Sequence, residues 1–258
     1  MCLLLLALES HPAFRLVVAA NRDELYDRPA AAAAFWRENP AILAGRDLEA
    51  GGTWLGVTLD GRFAALTNFR EPGKHRPDAP SRGRLVEAFL REKTSAVEYV
   101  EALSRREHAY NGFSLLVWDG SSLAYCSNRD GSGSRVLNPG IFGLSNGTLD
   151  EPWPKVTSAK KLLATAMADP GHGLQERLFV LLGDRNEAPD DVLPSTGLPV
   201  AWERALSPIF VTADRHGTRC STVFLLDAEG RAAFEERSFS SGGRPAGRVE
   251  FGFNLTGA

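Results

Sequence analysis

Cys2-Leu3-Leu4-Leu5-Leu6-Ala7-Leu8-Glu9, then Ser10-His11-Pro12, then Phe14-Arg15-Leu16-Val17-Val18-Ala19-Ala20, is the stretch on which the fold turns. Two short apolar runs around a Ser-His-Pro break read as a hairpin of two buried strands. Chain ends normally fray at the surface unless they are tied into a sheet, so a chain that opens this way begins inside its own core. The second run passes directly into a charged cluster, Asn21-Arg22-Asp23-Glu24. Antiparallel pairing returns that cluster beside the start of the first strand, next to Cys2.

Working outward, residues 22 to 52 are rich in Ala, Pro and charge and are expected to form a loop. A second hairpin follows, residues 53–59 and 62–68, joined by Asp60-Gly61. A polar stretch with Pro72, Gly73, Pro77 and Pro80 leads to residues 84 to 106, whose apolar spacing predicts two helices with a break near Lys93-Thr94. A third hairpin, 113–119 and 122–128 around Gly120, runs through the loop 130–134 to a short strand at 141–146. Helical stretches cover about 154 to 168 and 174 to 183, and strands at 222–238 and 248–254 close the chain, with Glu229-Gly230 as a turn.

Strands joined mainly by hairpins, with helices in separate pairs, imply an α+β fold of antiparallel sheets rather than a doubly wound parallel sheet. Two such sheets face to face with helices outside make a four-layer αββα sandwich. No internal repeat and no Gly/Ser linker divides the chain, so residues 1–258 are read as a single domain.

Hydrophobic content of 43% and charged content of 24% are those of an ordinary globular protein. A net charge of −3 argues against a nucleic-acid partner, which needs a basic face to neutralise phosphates. The three cysteines form no CxxC and cannot all pair, so reduced thiols in a cytoplasmic protein are the expectation. The apolar opening lacks a basic leader region and is interrupted by Glu9, His11 and Arg15; no other run approaches the ~18 apolar residues needed to span a bilayer. The five histidines show no HxxxH spacing, so neither metal nor other cofactor is expected. Ser158 and Lys161 fit an SxxK spacing but lie in a helical stretch without the accompanying motifs.

Cys2 carries the candidate chemistry. Its small side chain lets an aminopeptidase remove Met1, leaving one residue with both a thiol and a free α-amine. The amine has a pKa of roughly 7.7 to 8.0 and the thiol roughly 8.5, so the amine can accept the thiol proton near neutral pH. The plain alternative is a small hydrophobe opening a core strand. Asn68 and Asn146 end strands, where asparagine commonly bonds local backbone. Arg22, Asp23 and Glu24 could equally form a surface ion-pair cluster. Arg70, Lys74, His75, Arg76, Arg82 and Arg84 concentrate positive charge after Asn68, either as a solvated loop or as a dock for a substrate carboxylate or phosphate.

Met1-Cys2 and Asn21-Arg22-Asp23-Glu24 resemble the NRDE family, which includes the transport and Golgi organisation proteins. Further matches are Gly45-Arg46-Asp47, Gly51-Gly52-Thr53-Trp54-Leu55-Gly56 and Ala65-Leu66-Thr67-Asn68-Phe69-Arg70. Ser81-Arg82-Gly83, Leu144-Ser145-Asn146 and Gly217-Thr218-Arg219 complete the set, which spans nearly the whole chain in order. That family is in turn distantly similar to the N-terminal-cysteine nucleophile hydrolases, the group containing penicillin V acylase and conjugated bile salt hydrolase.

The resemblance implies a fold of the N-terminal nucleophile hydrolase type and cleavage of a linear C–N amide bond, or a thioester, in a small molecule. By motif position Cys2, Asp23, Asn68, Asn146 and Arg219 match the catalytic pattern: nucleophile, α-ammonium partner, two oxyanion donors and a late Arg. Asn21, Arg22, Glu24 and Arg70 are expected to bind substrate or support the site. One departure stands out. The hydrolases place an Arg three residues before the Asp, a position held here by Ala20, and Arg22 is expected to point to the other face of the strand. The resemblance also implies an alternative without catalysis, a carrier handling haem or a lipid such as acyl-CoA on the same fold. A third reading makes the NRDE cluster purely structural.

Overall fold

The computed structural model describes residues 2–131, 133–169 and 173–256. Met1, whose removal the chemistry of Cys2 requires, and Ser132, in the expected 130–134 loop, lie outside them. The chain opens with strands β1 (Cys2–Leu8), β2 (Phe14–Leu25), β3 (Ala30–Trp36), β4 (Asn39–Asp47), β5 (Leu55–Thr58) and β6 (Phe63–Asn68). Helices α1 (Gly83–Arg91) and α2 (Ala96–Ser104) precede strands β7 (Phe113–Trp118), β8 (Leu123–Ser127), β9 (Arg135–Leu137) and β10 (Gly140–Leu144). Helices α3 (Pro154–Ala168), α4 (Leu174–Leu182) and α5 (Val200–Ala205) then lead to β11 (His216–Asp227), β12 (Arg231–Ser240) and β13 (Arg244–Asn254).

These elements form two compact units, each drawn from several separate segments. Unit 1 comprises Met1–Asp27, Pro139–Ser145 and Leu149–Gly252; unit 2 comprises Arg28–Asn138, Asn146–Thr148 and Phe253–Ala258. The expected class, α+β with two antiparallel sheets, is what the chain adopts.

Unit 1 is built on a six-stranded sheet of order β10-β1-β2-β11-β12-β13. The opening hairpin is its middle: β1 pairs with β2 from Cys2↔Arg22 to Leu8↔Leu16, and β10 and β11 flank the pair. Leu3 to Leu8 are buried on both faces, which is why this strand reads as an unbroken apolar run. One face, carrying Leu3, Leu5, Ala7, Val17 and Ala19, packs against Val156, Ala159 and Leu163 of α3 and Leu178 and Leu182 of α4. Each fully buried leucine there contributes about 1.5 to 3 kcal/mol of transfer free energy.

Unit 2 is a seven-stranded meander, β3-β4-β5-β6-β7-β8-β9, antiparallel throughout. Helices α1 and α2 cover it through Leu85, Phe89, Tyr99 and Val100, set on Ile42, Ala64, Leu66, Leu115 and Val117. Ser95 and Glu98 close a capping box at the start of α2, ending the break that the sequence placed near Lys93-Thr94.

The expected loop at residues 22–52 is corrected by this sheet. Strand β2 runs on through the charged cluster to Leu25, and β3 and β4 are strands. An Ala run with Pro and scattered charge carries little β-propensity. Here tertiary contacts supply the order: Trp36 is buried, its Nε1 donates to the Ala44 carbonyl at 3.1 Å, and the Arg46 guanidinium lies 4.3 Å from its ring centroid. Two motif glycines have a packing reason. A Cβ on Gly52 would come 2.5 Å from the backbone carbon of Gly83, so these two family motifs meet backbone to backbone in unit 2.

Candidate functional site

Within unit 1, strand register decides which side chains share a face. Cys2 pairs with Arg22, and Arg22 pairs with Cys220 on β11, so the three form one row across β1, β2 and β11. The expectation for Arg22 is thereby corrected. Leu4 faces Ala20 as Cys2 faces Arg22, and residues two apart on a strand share a face, so Arg22 projects on the same side as position 20 and directly beside the candidate nucleophile. Arg22 is buried.

Cys2 is partly buried. Burial pushes its thiol above the ordinary cysteine value, and the Asp23 carboxylate adds to the rise. The backbone N–H of Asp23, which donates to the sulfur, and the charge of Arg22 act in the opposite direction. The resting group is therefore a thiol that needs a base to lose its proton. The Cys2 carbonyl accepts from Ser145 Oγ at 2.9 Å, fixing the tip of β1 to the end of β10.

Asn21 and Asp23 project from the opposite face. Asp23 is buried, and its Oδ1 accepts from Thr218 Oγ1 at 2.7 Å while that hydroxyl accepts from the Val211 N–H at 2.9 Å. Asn21 Nδ2 donates to the carbonyls of Leu182 and Ile209 at 2.9 and 2.8 Å, and its Oδ1 accepts from Ser221 Oγ at 2.6 Å. This asparagine is a clip joining β2 to the end of α4. Glu24 accepts from the Leu25 N–H at 2.9 Å.

Arg219 sits where the β2–β11 register slips between Thr218 and Cys220, and its Nη1 donates to the Leu25 carbonyl at 2.7 Å. The bulge breaks the two-residue alternation, re-aiming this side chain. Gly217 just before it has a steric reason: a Cβ there would come 2.1 Å from Tyr26 Oη and 2.7 Å from the Val211 carbonyl oxygen.

In unit 2, Asn68 ends β6 and is half-buried. Asn146 is buried; its Nδ2 donates to the Asn68 carbonyl at 2.7 Å, and its own carbonyl accepts from the Arg70 N–H at 2.7 Å. The structure thus brings Asn68, Arg70 and Asn146 together in unit 2, and in unit 1 it sets Cys2 beside Arg22 and the Asp23 backbone, while Arg219 is held at the Leu25 carbonyl. The cationic loop after Asn68 is largely engaged within the unit. Arg76 Nη2 donates to the carbonyls of His108, Ala109 and Tyr110, and Arg82 Nη1 to that of Gly112.

A groove of about 630 Å³ opens at the end of β2, lined by Leu25, Leu198, Pro199, Trp202, Leu206, Arg215 and His216. Its apolar walls and single guanidinium suit a hydrocarbon moiety. Leu198 and Trp202 lie in no periodic pattern, because α5 is only six residues long and follows Pro199. Among the described residues no group of three or more His, Cys, Asp or Glu is arranged to hold a metal ion, and no helix is long and apolar enough to cross a membrane.

The chain is 39% identical to the Transport and Golgi organization protein 2 homolog of Bos taurus, over 92% of this chain and 93% of that protein. It is 37% identical to the Homo sapiens homolog over the same shares. Among solved structures, a cysteine-to-alanine variant of the conjugated bile acid hydrolase from Clostridium perfringens superposes with a TM-score of 0.53 at 9% identity, covering 98% of this chain and 92% of that one. That likeness shows an N-terminal nucleophile hydrolase-type fold. The family model for Transport and Golgi organisation 2 matches residues 1–241, and the chain belongs to that family.

Proposed function

We propose that this protein is an N-terminal-cysteine hydrolase that cleaves a linear amide, or a thioester, in a small molecule with an apolar arm. The observation that carries the reading is the pairing of Cys2 with Arg22 at the tip of an interior strand, beside the backbone N–H of Asp23. A cysteine needed only for packing requires none of these polar neighbours.

The chemistry begins with removal of Met1. The freed α-amine takes the Cys2 thiol proton as sulfur attacks the carbonyl carbon, and the buried Asp23 carboxylate stabilises the resulting ammonium. Collapse of the tetrahedral adduct breaks the C–N bond, the departing amine receives that proton, and a thioester remains on Cys2. Water then adds to the thioester, with the amine again as base, and the acid leaves. Arg22 favours the thiolate, and Arg219 supports the same strand end. Asn68 and Asn146 are assigned as oxyanion donors by motif position; removing one such donor typically slows turnover by ~10²- to 10³-fold. The groove beside Leu25 and Trp202 is suited to hold the apolar arm. Unpaired thiols at Cys2, Cys126 and Cys220 fit a reducing compartment such as the cytoplasm.

The test joins intact mass to acyl-probe labelling. We expect a mass lacking the initiator methionine, stoichiometric labelling by an electrophilic acyl probe, and loss of labelling in Cys2→Ala with the melting temperature preserved. Retained methionine, or labelling that persists in Cys2→Ala, overturns the hydrolase. Saturable acyl-CoA or haem binding without turnover, equal in wild type and Cys2→Ala, establishes a carrier instead.

A further inference from the structure

A second groove, of about 650 Å³, lies in unit 1 on the sheet face opposite Cys2. Register fixes the side: Ser221, which lines the groove, pairs with Asn21 and with Arg237, one residue out of step with the Cys2–Arg22–Cys220 row. Its walls are three phenyl rings, from Phe179 of α4, Phe210, and Phe239 of β12. Phe210 and Phe239 meet edge to face at 4.9 Å. Two guanidinium planes lie on these rings, Arg237 at 3.7 Å from the Phe179 centroid and Arg185 at 4.4 Å from that of Phe210.

The charges decide what this groove accepts. Arg237 pairs with Glu176 and, at 2.7 Å, with Glu235. Arg248, which also lines the groove, pairs with the same Glu235 at 2.7 Å and with Glu250 at 2.9 Å. Glu235 is fully buried, also accepts from Gln175, and so stands between the two guanidinium groups as their shared partner. Arg185 differs. Its polar contact among the described residues is a long hydrogen bond to the Gly243 carbonyl at 3.4 Å, and no carboxylate lies within ion-pair distance. Two arginines are thus neutralised where they stand and one is not.

We infer that this groove is a second ligand site, for a flat monoanion: an aromatic ring bearing one carboxylate, with the ring among Phe179, Phe210 and Phe239 and the carboxylate on Arg185. Aromatic walls favour a planar ring over a branched chain. A guanidinium presents a planar fork that matches a carboxylate in two parallel hydrogen bonds, and stacking on Phe210 holds that fork in one plane before the ligand arrives. A polyphosphate would bring charge that only one uncommitted cation answers. The volume lies within the ~300 to 1,000 Å³ usual for small-molecule sites and admits a bicyclic ring.

The site is tested by calorimetric titration with 2-naphthoate, its neutral analogue 2-naphthamide, and 2-naphthyl phosphate. We expect saturable one-to-one binding of 2-naphthoate, at least about tenfold weaker binding of the amide, and no gain from the phosphate. Arg185→Gln, at an exposed position, should abolish the preference for carboxylate over amide. Phe239→Ala should weaken both, and Cys2→Ala and Trp202→Ala should change neither, which separates this site from the proposed catalytic one. Equal binding of carboxylate and amide, tighter binding of the phosphate, an unchanged Arg185→Gln, or no binding at all overturns the inference.

Discussion

At the scale of single residues, the Cys2 thiol and the Asn21 clip give the sharpest expectations. Burial and the Asp23 carboxylate both raise the thiol, so its alkylation by iodoacetamide should rise with pH through a midpoint above that of free cysteine. Asp23→Asn removes one of the two raising influences, and the midpoint should move down; peptide mapping separates Cys2 from Cys126 and Cys220, whose thiols burial also raises. An upward move, or none, would contradict the assigned electrostatics. Asn21→Ala leaves the Leu182 and Ile209 carbonyls without their buried donor and should cost about 1 to 3 kcal/mol in denaturant unfolding. At this scale the proximity of Cys2 to the NRDE cluster was legible, because hairpin return follows from strand pairing alone. The face of Arg22 was read wrongly, since positions 20 and 22 share a side, and the bulge that re-aims Arg219 has no signature in one strand's sequence. The asparagine pair was legible only through the motif match, since 78 residues separate Asn68 from Asn146.

At the scale of elements, strands and helices with an apolar rhythm announced themselves, and elements ordered by their neighbours did not. β1, β2, β7 and β8 are buried along most of their length, so their composition speaks plainly. β3 is half-exposed at the rim of its sheet and made largely of alanine, so it shows no apolar–polar alternation, while β9 with three residues and α5 with six are too short to show a period. Close approach between elements is also invisible until pairing is known. Gly52→Ala drives a Cβ into the Gly83 backbone, and Gly217→Ala drives one into Tyr26 and the Val211 carbonyl. Each should cost about 1 to 3 kcal/mol by urea denaturation, where Gly131→Ala, with open space around it, should be near neutral.

At the scale of the whole chain, both units are assembled from segments far apart in sequence. The one-domain reading predicts a single calorimetric transition whose van't Hoff and calorimetric enthalpies agree; two resolved peaks would refute it. The placement of β11 beside β2 has a further consequence during synthesis. The second strand emerges from the ribosome about 190 residues before its permanent neighbour does, at a pace of ~5 to 20 residues per second. For roughly ten seconds or more, one rim of a ribbon whose middle is aliphatic has no mate, and nascent copies on the same messenger can find each other there. Expression yield should accordingly depend on holdase chaperones far more than the stability of the finished molecule suggests.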